Sequence, residues 1–134
     1  MPPTRTFIAL GALFALTATL FGAYAHHSLR PELLKIDRWE GVALALQYQW
    51  YHALALVGFG LWVSHFKVEG KHRFIGWLMV VGVALFSGMI YLRAINPAFE
   101  IAAKLTPLGG LCLMLAWGWW AWAAWQTPAV SKEI

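Results

Sequence analysis

Four apolar runs, each of about twenty residues, occupy most of the chain between Thr6 and Trp125, and polar or charged turns separate them. A run of that length crosses a hydrocarbon core roughly 30 Å thick as a helix, and a helix satisfies its own backbone hydrogen bonds there. The chain therefore reads as an all-α integral membrane protein with a four-transmembrane-helix bundle. The spans are expected at approximately 6–25, 42–65, 74–94 and 106–125 of a single membrane domain, 1–134, with a short interfacial helix between helices 1 and 2. Composition agrees: 60% of residues are hydrophobic and 12% charged, so lipid must be the solvent for much of the surface. The net charge of +4 comes from residues lying mostly between the runs, which is the flanking pattern of membrane segments and argues against nucleic-acid binding. Cys112 lies within the fourth run and reads as a small core residue.

In the first run, "TFIALGALFALTATLFGAYA", Gly11, Ala15, Ala18 and Gly22 form a thin stripe where a neighbouring helix can approach closely. The same run has features of a secretory signal, with "AYA" at residues 23 to 25 as a cleavage point that would make His26 a copper-binding terminus. Its apolar core is long for a signal, so retention as a span is expected. The connector "HHSLRPELLKIDRWEG" mixes charges with leucines; Pro31 suits the first turn of a short interfacial helix and Trp39 the headgroup region. Gly70 breaks the turn "SHFKVEGKHR" between the second and third runs. In "TPLGGL", Thr106 is the expected N-cap and Pro107 the expected first residue of the fourth helix. Trp117, Trp119, Trp120, Trp122 and Trp125 at its far end read as an interfacial aromatic belt.

Four crossings put both termini on one side. Arg5, Lys67, Lys71, Arg73 and Lys132 on that face balance Arg30, Lys35, Arg38, Arg93 and Lys104 on the other, and the compact cluster at 67–73 favours cytoplasmic termini.

The segment "QYQWYHALALVG", residues 47 to 58, carries the strongest candidate for a site. On a helix Tyr48 and His52 share a face with Gln49 nearby, and Gln47 and Tyr51 form a second pair at spacing four. His52 falls near mid-membrane, where a histidine needs hydrogen-bond partners; Tyr48, Gln49, Ser87 and Tyr91 are the candidates. An interhelical clamp is the simpler reading, and a proton-carrying or ligand-binding histidine the sharper one. Haem would need two histidines at one depth on facing helices, yet His26 and His27 lie at an interface and His65 and His72 at the opposite surface. No zinc or copper spacing, carboxylate pair, nucleophile elbow or phosphate-binding glycine loop occurs, so no catalytic residue and no cofactor is expected. Arg93, at the end of the third run, is expected to snorkel to headgroups, with a salt bridge to Glu100 or a lipid phosphate as the functional version.

The segments "FGAYAHHSL", "YQWYHALAL", "LFSGMIYL" and "TPLGGLCLMLAW" resemble, in order, the landmarks of the small membrane proteins grouped as domain of unknown function 423. That group includes the bacterial YgdD-type inner-membrane proteins and is similar to eukaryotic transmembrane protein 256. The resemblance implies a four-helix protein of a bacterial inner membrane and marks as motif positions His26 or His27, Tyr48, Gln49, Tyr51, His52, Ser87, Gly88, Tyr91, Thr106, Pro107, Gly109 and Gly110. It brings no activity with it. The doubled His26-His27 and the charged Arg93 depart from the pattern, so these three become candidate interface or lipid contacts.

Two functions are expected to compete. One is a non-catalytic helical module, a homo-oligomer or a small accessory subunit of a larger membrane complex, whose glycine-rich and aromatic helix faces meet lipid or partners. The other is a quinone, haem, lipid or proton-handling site centred on His52. Transport by an oligomer is weaker, because no broken-helix pair or inverted repeat is present.

Overall fold

A computed structural model describes residues 3–67 and 70–128, the side chains of residues 3 and 4 excepted. Lys132, counted above among the balancing charges, lies outside the described residues, as do Val68 and Glu69 of the turn after the second run. The described residues form helices and turns without strands. Helix α1 (Pro3–Tyr24) passes through a π-helical turn, Ala25–Leu29, into α2 (Arg30–Lys35), and α3 follows at Trp39–His65. A 3-10 turn, Gly70–His72, leads into α4 (Arg73–Val83), which a second π-helical turn, Ala84–Gly88, joins to α5 (Met89–Ile95). The last helix is α6, Ile101–Gln126.

The result is four long helical stretches. Three of them, Arg5–Lys35, Gly70–Ile95 and Ile101–Gln126, are long and apolar enough to cross a membrane. With 27 residues α3 is also long enough, at roughly 40 Å, but Gln47, Gln49 and His52 dilute its hydropathy. It is the central helix: α1 lies along it, α4 pairs with α6, and α3 also meets α4, α5 and the second π turn.

Packing is inverted relative to a soluble bundle. Leu20, Leu54, Leu61 and Met114 are all more than half exposed, whereas small residues fill the contacts between helices. The stripe on α1 faces α3 as its spacing predicts: a Cβ on Gly11 would lie 2.6 Å from the Ala53 carbonyl oxygen, and Ala18 is buried. Gly76 leaves room for the ring of Phe7. Gly109 brings α6 onto the backbone of the second π turn, where a Cβ would stand 2.7 Å from the Leu85 carbonyl carbon. Two apolar clusters result. Phe7, Leu56, Phe59, Ile75 and Met79 centre the first. Ala25, Leu33, Trp39, Val42 and Leu46 form the second, at the other end of α3.

Two helix boundaries differ from those the sequence suggests. The first helix does not stop at Ala25. The backbone stays helical through His26 and His27, with the Arg30 amide donating back five residues to Ala25, and Pro31 then sits in the first turn of α2. Widening the turn just ahead of Pro31 draws the preceding carbonyls away from its ring, so the helix survives a residue that would otherwise break it. The reversal comes later, at Asp37, whose φ of 54° closes α2. There the Arg38 amide donates to the Leu33 carbonyl at 2.8 Å and the Asp37 amide to Leu34 at 3.3 Å, the Schellman pattern.

The fourth helix starts five residues earlier than expected, at Ile101, so Thr106 is no N-cap and Pro107 is no first residue. Ala102 is fully buried and anchors the extra turn, while the Thr106 hydroxyl donates to the Ala102 carbonyl at 2.8 Å. Pro107 supplies no amide to the Ala103 carbonyl, which is tolerable because Ala103 is exposed.

The close approach at Gly109 generates a test. Gly109→Ala is expected to lower stability by about 1–3 kcal/mol, because backbone rather than a flexible side chain lies in the way. Gly118→Ala meets open space and is expected to lose nothing. Unfolding in graded dodecyl sulfate, followed by circular dichroism, compares them; equal stability of the two variants would reject the α6 contact.

Candidate functional site: a polar seam between the helices

Between the two apolar clusters lies a layer of polar side chains. Gln49 is buried on α3, and its carboxamide joins three helical stretches. Its Nε2 donates to the Phe14 carbonyl at 2.9 Å and to the Thr17 hydroxyl at 2.8 Å, both on α1. Its Oε1 accepts the Tyr91 hydroxyl of α5 at 2.9 Å. Thr17 turns its own proton to the Leu13 carbonyl, 2.9 Å away. One turn of helix away, Ser87 is 1% exposed and donates to the Ala45 carbonyl of α3 at 2.8 Å. The second π turn presents that hydroxyl to α3; the widened turn also carries Phe86, stacked on Tyr48 with ring centroids 4.5 Å apart.

His52 occupies the midpoint of α3 and is 5% exposed. Trp117 of α6 donates its indole N–H to His52 Nε2 at 3.1 Å. An indole nitrogen can only donate, so Nε2 carries the lone pair and Nδ1 the proton. That Nδ1–H donates to the Tyr48 carbonyl one turn back, at 2.7 Å. The imidazole in this arrangement is neutral with both nitrogens engaged, and Tyr48 stacks on it at 5.8 Å.

The structure thus brings Tyr48, Gln49, His52, Ser87 and Tyr91 into one seam, although none of the other four side chains hydrogen-bonds to His52. Tyr51 does not join them: it is 61% exposed and points outward with Gln47. At the far end of α3, His26 is exposed and sets its ring against Trp39 at 4.7 Å, with the Arg30 guanidinium 5.1 Å from the same indole; His27 is exposed beside it. Arg93 makes no ion pair with Glu100 among the described residues, and its Nε is buried without a partner. A Cβ on Gly110 would meet the Phe86 ring at 3.8 Å, and no group of three or more His, Cys, Asp or Glu is placed to hold a metal among the described residues.

Two members of the seam escape a reading of the sequence. Trp117 looks like one more belt tryptophan, yet Gly110, Leu113 and Trp117 fall at spacings of three and four and so mark one face of α6. Thr17 carries no such signal, since Thr17 and Thr19 both bond carbonyls of their own helix and only the neighbour shows which is used.

Interhelical hydrogen bonds in membranes average about 0.6 kcal/mol, so replacing Gln49 by Leu is expected to cost about 2 kcal/mol and Tyr91→Phe about 0.6 kcal/mol. A double-mutant cycle on Gln49 and Tyr91, read by the same unfolding measurement, should return a coupling of about 0.5 kcal/mol or more. Additive losses would contradict the bond.

The family model described as protein of unknown function (DUF423) matches residues 21–110, which include Gln49, His52, Ser87 and Tyr91. The UPF0382 membrane protein YwdK of Bacillus subtilis is 33% identical over 115 residues, 84% of this chain and 90% of its own length. A UPF0382 membrane protein of Staphylococcus epidermidis is 34% identical over 115 residues, 84% and 89% of the two chains. One from Schizosaccharomyces pombe is 36% identical over 112 residues, 81% and 92%. No solved structure matches. The match spans most of the helical scaffold and the relatives are covered almost end to end, so this chain belongs to the DUF423 family of membrane proteins.

Proposed function

We propose that the protein is a non-catalytic helical module of the membrane that works by association, as a homo-oligomer or as a small accessory subunit of a larger membrane complex. The observation that carries this reading is the closure of the seam: the hydrogen-bonding groups of Gln49, Ser87 and His52 are directed at other helices or their own backbone. A general acid, base or proton carrier needs a free position, and here the donors and acceptors hold helices together.

What would be covered by a partner lies outside. A surface cavity of about 660 Å³ runs between α1 and α3, lined by the small residues Ala18, Gly22 and Ala23 and by Gln47, Trp50 and Tyr51. Gln47 is exposed two turns inside α3, and a carboxamide facing lipid at that depth is costly unless another helix covers it. In this reading α3 is the fourth crossing and both termini face the cytoplasm of a bacterial inner membrane. Helix α2 continues α1, and with Leu34 exposed and Lys35 paired to Glu32 at 2.6 Å it is the part of that stretch that meets the interface.

A second reading keeps a ligand at His52. An apolar cavity of about 660 Å³ opens beside it, lined by Tyr48, Tyr51, Phe86, Met114 and Trp117. A quinone, a haem edge or a lipid would have to compete with the indole for Nε2.

Native mass spectrometry of the tagged protein, extracted from its own membrane in mild detergent, separates the two. Additional protein masses or a homo-oligomer that Gln47→Leu weakens support the module. A strict monomer at every detergent level rejects it. A non-protein mass lost in a folded His52→Ala variant would establish the ligand site instead.

A further inference from the structure

At the end of the bundle where α3 begins and α5 ends, a second polar concentration stands apart from the seam. A cavity of about 290 Å³ there is lined by Arg38 and Arg93, by Asp37 and Gly41, and by Thr106 and Pro107 of α6. Arg93 lines this cavity, and its Nε is buried without a hydrogen-bond partner. A buried guanidinium N–H without an acceptor is uncommon, because it gives up its water and gains nothing in return. Inside the seam the side-chain donors of Gln49, His52, Ser87 and Tyr91 are matched. Here one is not.

The walls do not supply the missing acceptor. The Thr106 hydroxyl, whose proton goes to Ala102, makes no hydrogen bond with the Arg93 Nε, and the proline ring of Pro107 has no polar atom to offer. Asp37 is exposed on the rim, its backbone held at φ 54° by the turn that ends α2. Arg38 follows directly in that turn, so the fold of the α2–α3 reversal brings a second arginine to the same cavity. Gly41 lies on the first turn of α3, which has no side-chain cap, so its backbone adds to the positive potential without carrying the argument. Two arginines and one aspartate line the cavity, and the balance is an excess of planar, multidentate donors.

We propose that this cavity is a binding site for a phosphate group, held by Arg93 and Arg38. A guanidinium fork matches phosphate oxygens bidentately, and a cavity of this size takes a phosphate together with an ester arm. Arg93 lies in the last turn of α5, close to the end of an apolar stretch, which is the level at which lipid phosphates are found. The phosphate comes from an anionic phospholipid or from solution; the chemistry of recognition is shared. The site is independent of the module reading above, since neither arginine belongs to the seam.

The test uses the full chain, delipidated in a non-ionic detergent and probed with dioleoylphosphatidylglycerol, dioleoylphosphatidylcholine and inorganic phosphate, with bound lipid counted by native mass spectrometry. Arg93→Gln is expected to weaken phosphatidylglycerol retention about tenfold, the worth of a charge-assisted hydrogen bond. Asp37→Asn should tighten it about two- to fivefold by removing the facing carboxylate, and asparagine accepts the left-handed backbone. Lipid adducts that persist in excess inorganic phosphate identify the lipid as the source. Displacement by phosphate, with the same ranking of variants, identifies the free anion. Equal retention in wild type, Arg93→Gln and Asp37→Asn would overturn the proposal, and if Arg93→Gln does not fold, an unchanged affinity in Asp37→Asn overturns it alone.

Discussion

The arrangement of helices depends on one carboxamide. Gln49 has two donor hydrogens and an acceptor oxygen, and the fold spends all three: two on α1, one on α5, from a position on α3. In lipid there is no hydrophobic drive to press apolar helices together, so close packing and such bonds decide which faces meet. Each bond contributes less than 1 kcal/mol, but a carboxamide left without partners in hydrocarbon costs several, and that asymmetry makes alternative registers expensive. The glycines serve the same end. Gly11 lets the α3 backbone come within reach of α1, and Gly109 seats α6 on the π turn that aims Ser87 at Ala45.

His52 is held by the same constraint. Its imidazole sits between a carbonyl that can only accept and an indole that can only donate, so the tautomer is set and no nitrogen is left for a substrate. Its ring links α3 to α6 through Trp117. The contrast is with Arg93, whose unmatched Nε lies at the bundle end, next to Arg38 and beside a cavity. The seam is closed by partners within the bundle, whereas the Arg93 Nε is left without one.

Much of this was legible along the chain. The number of helical stretches, the α1 stripe, the placement of Pro31 and the need of Gln49, His52, Ser87 and Tyr91 for hydrogen-bond partners all follow from spacing and from the cost of polar groups in lipid. The failures are specific. Thr106-Pro107 looks like a helix start because that pair suits one, but burial of Ala102 extends the helix beyond it. His26 and His27 look like a connector because they are polar, yet their backbone continues through a π turn.

By itself, the sequence determined the solvent and the element type: run length and hydropathy are properties of a segment alone, and lipid leaves a helix as the form in which such a segment can satisfy its backbone. It also determined that α3 would carry polar groups needing partners. Which partners they found was decided by the tertiary structure. Trp117 rather than Tyr91 meets His52, and Thr17 rather than Thr19 meets Gln49, because helix register and two π turns set which side chains face each other, and neither is encoded in the spacing of any single helix.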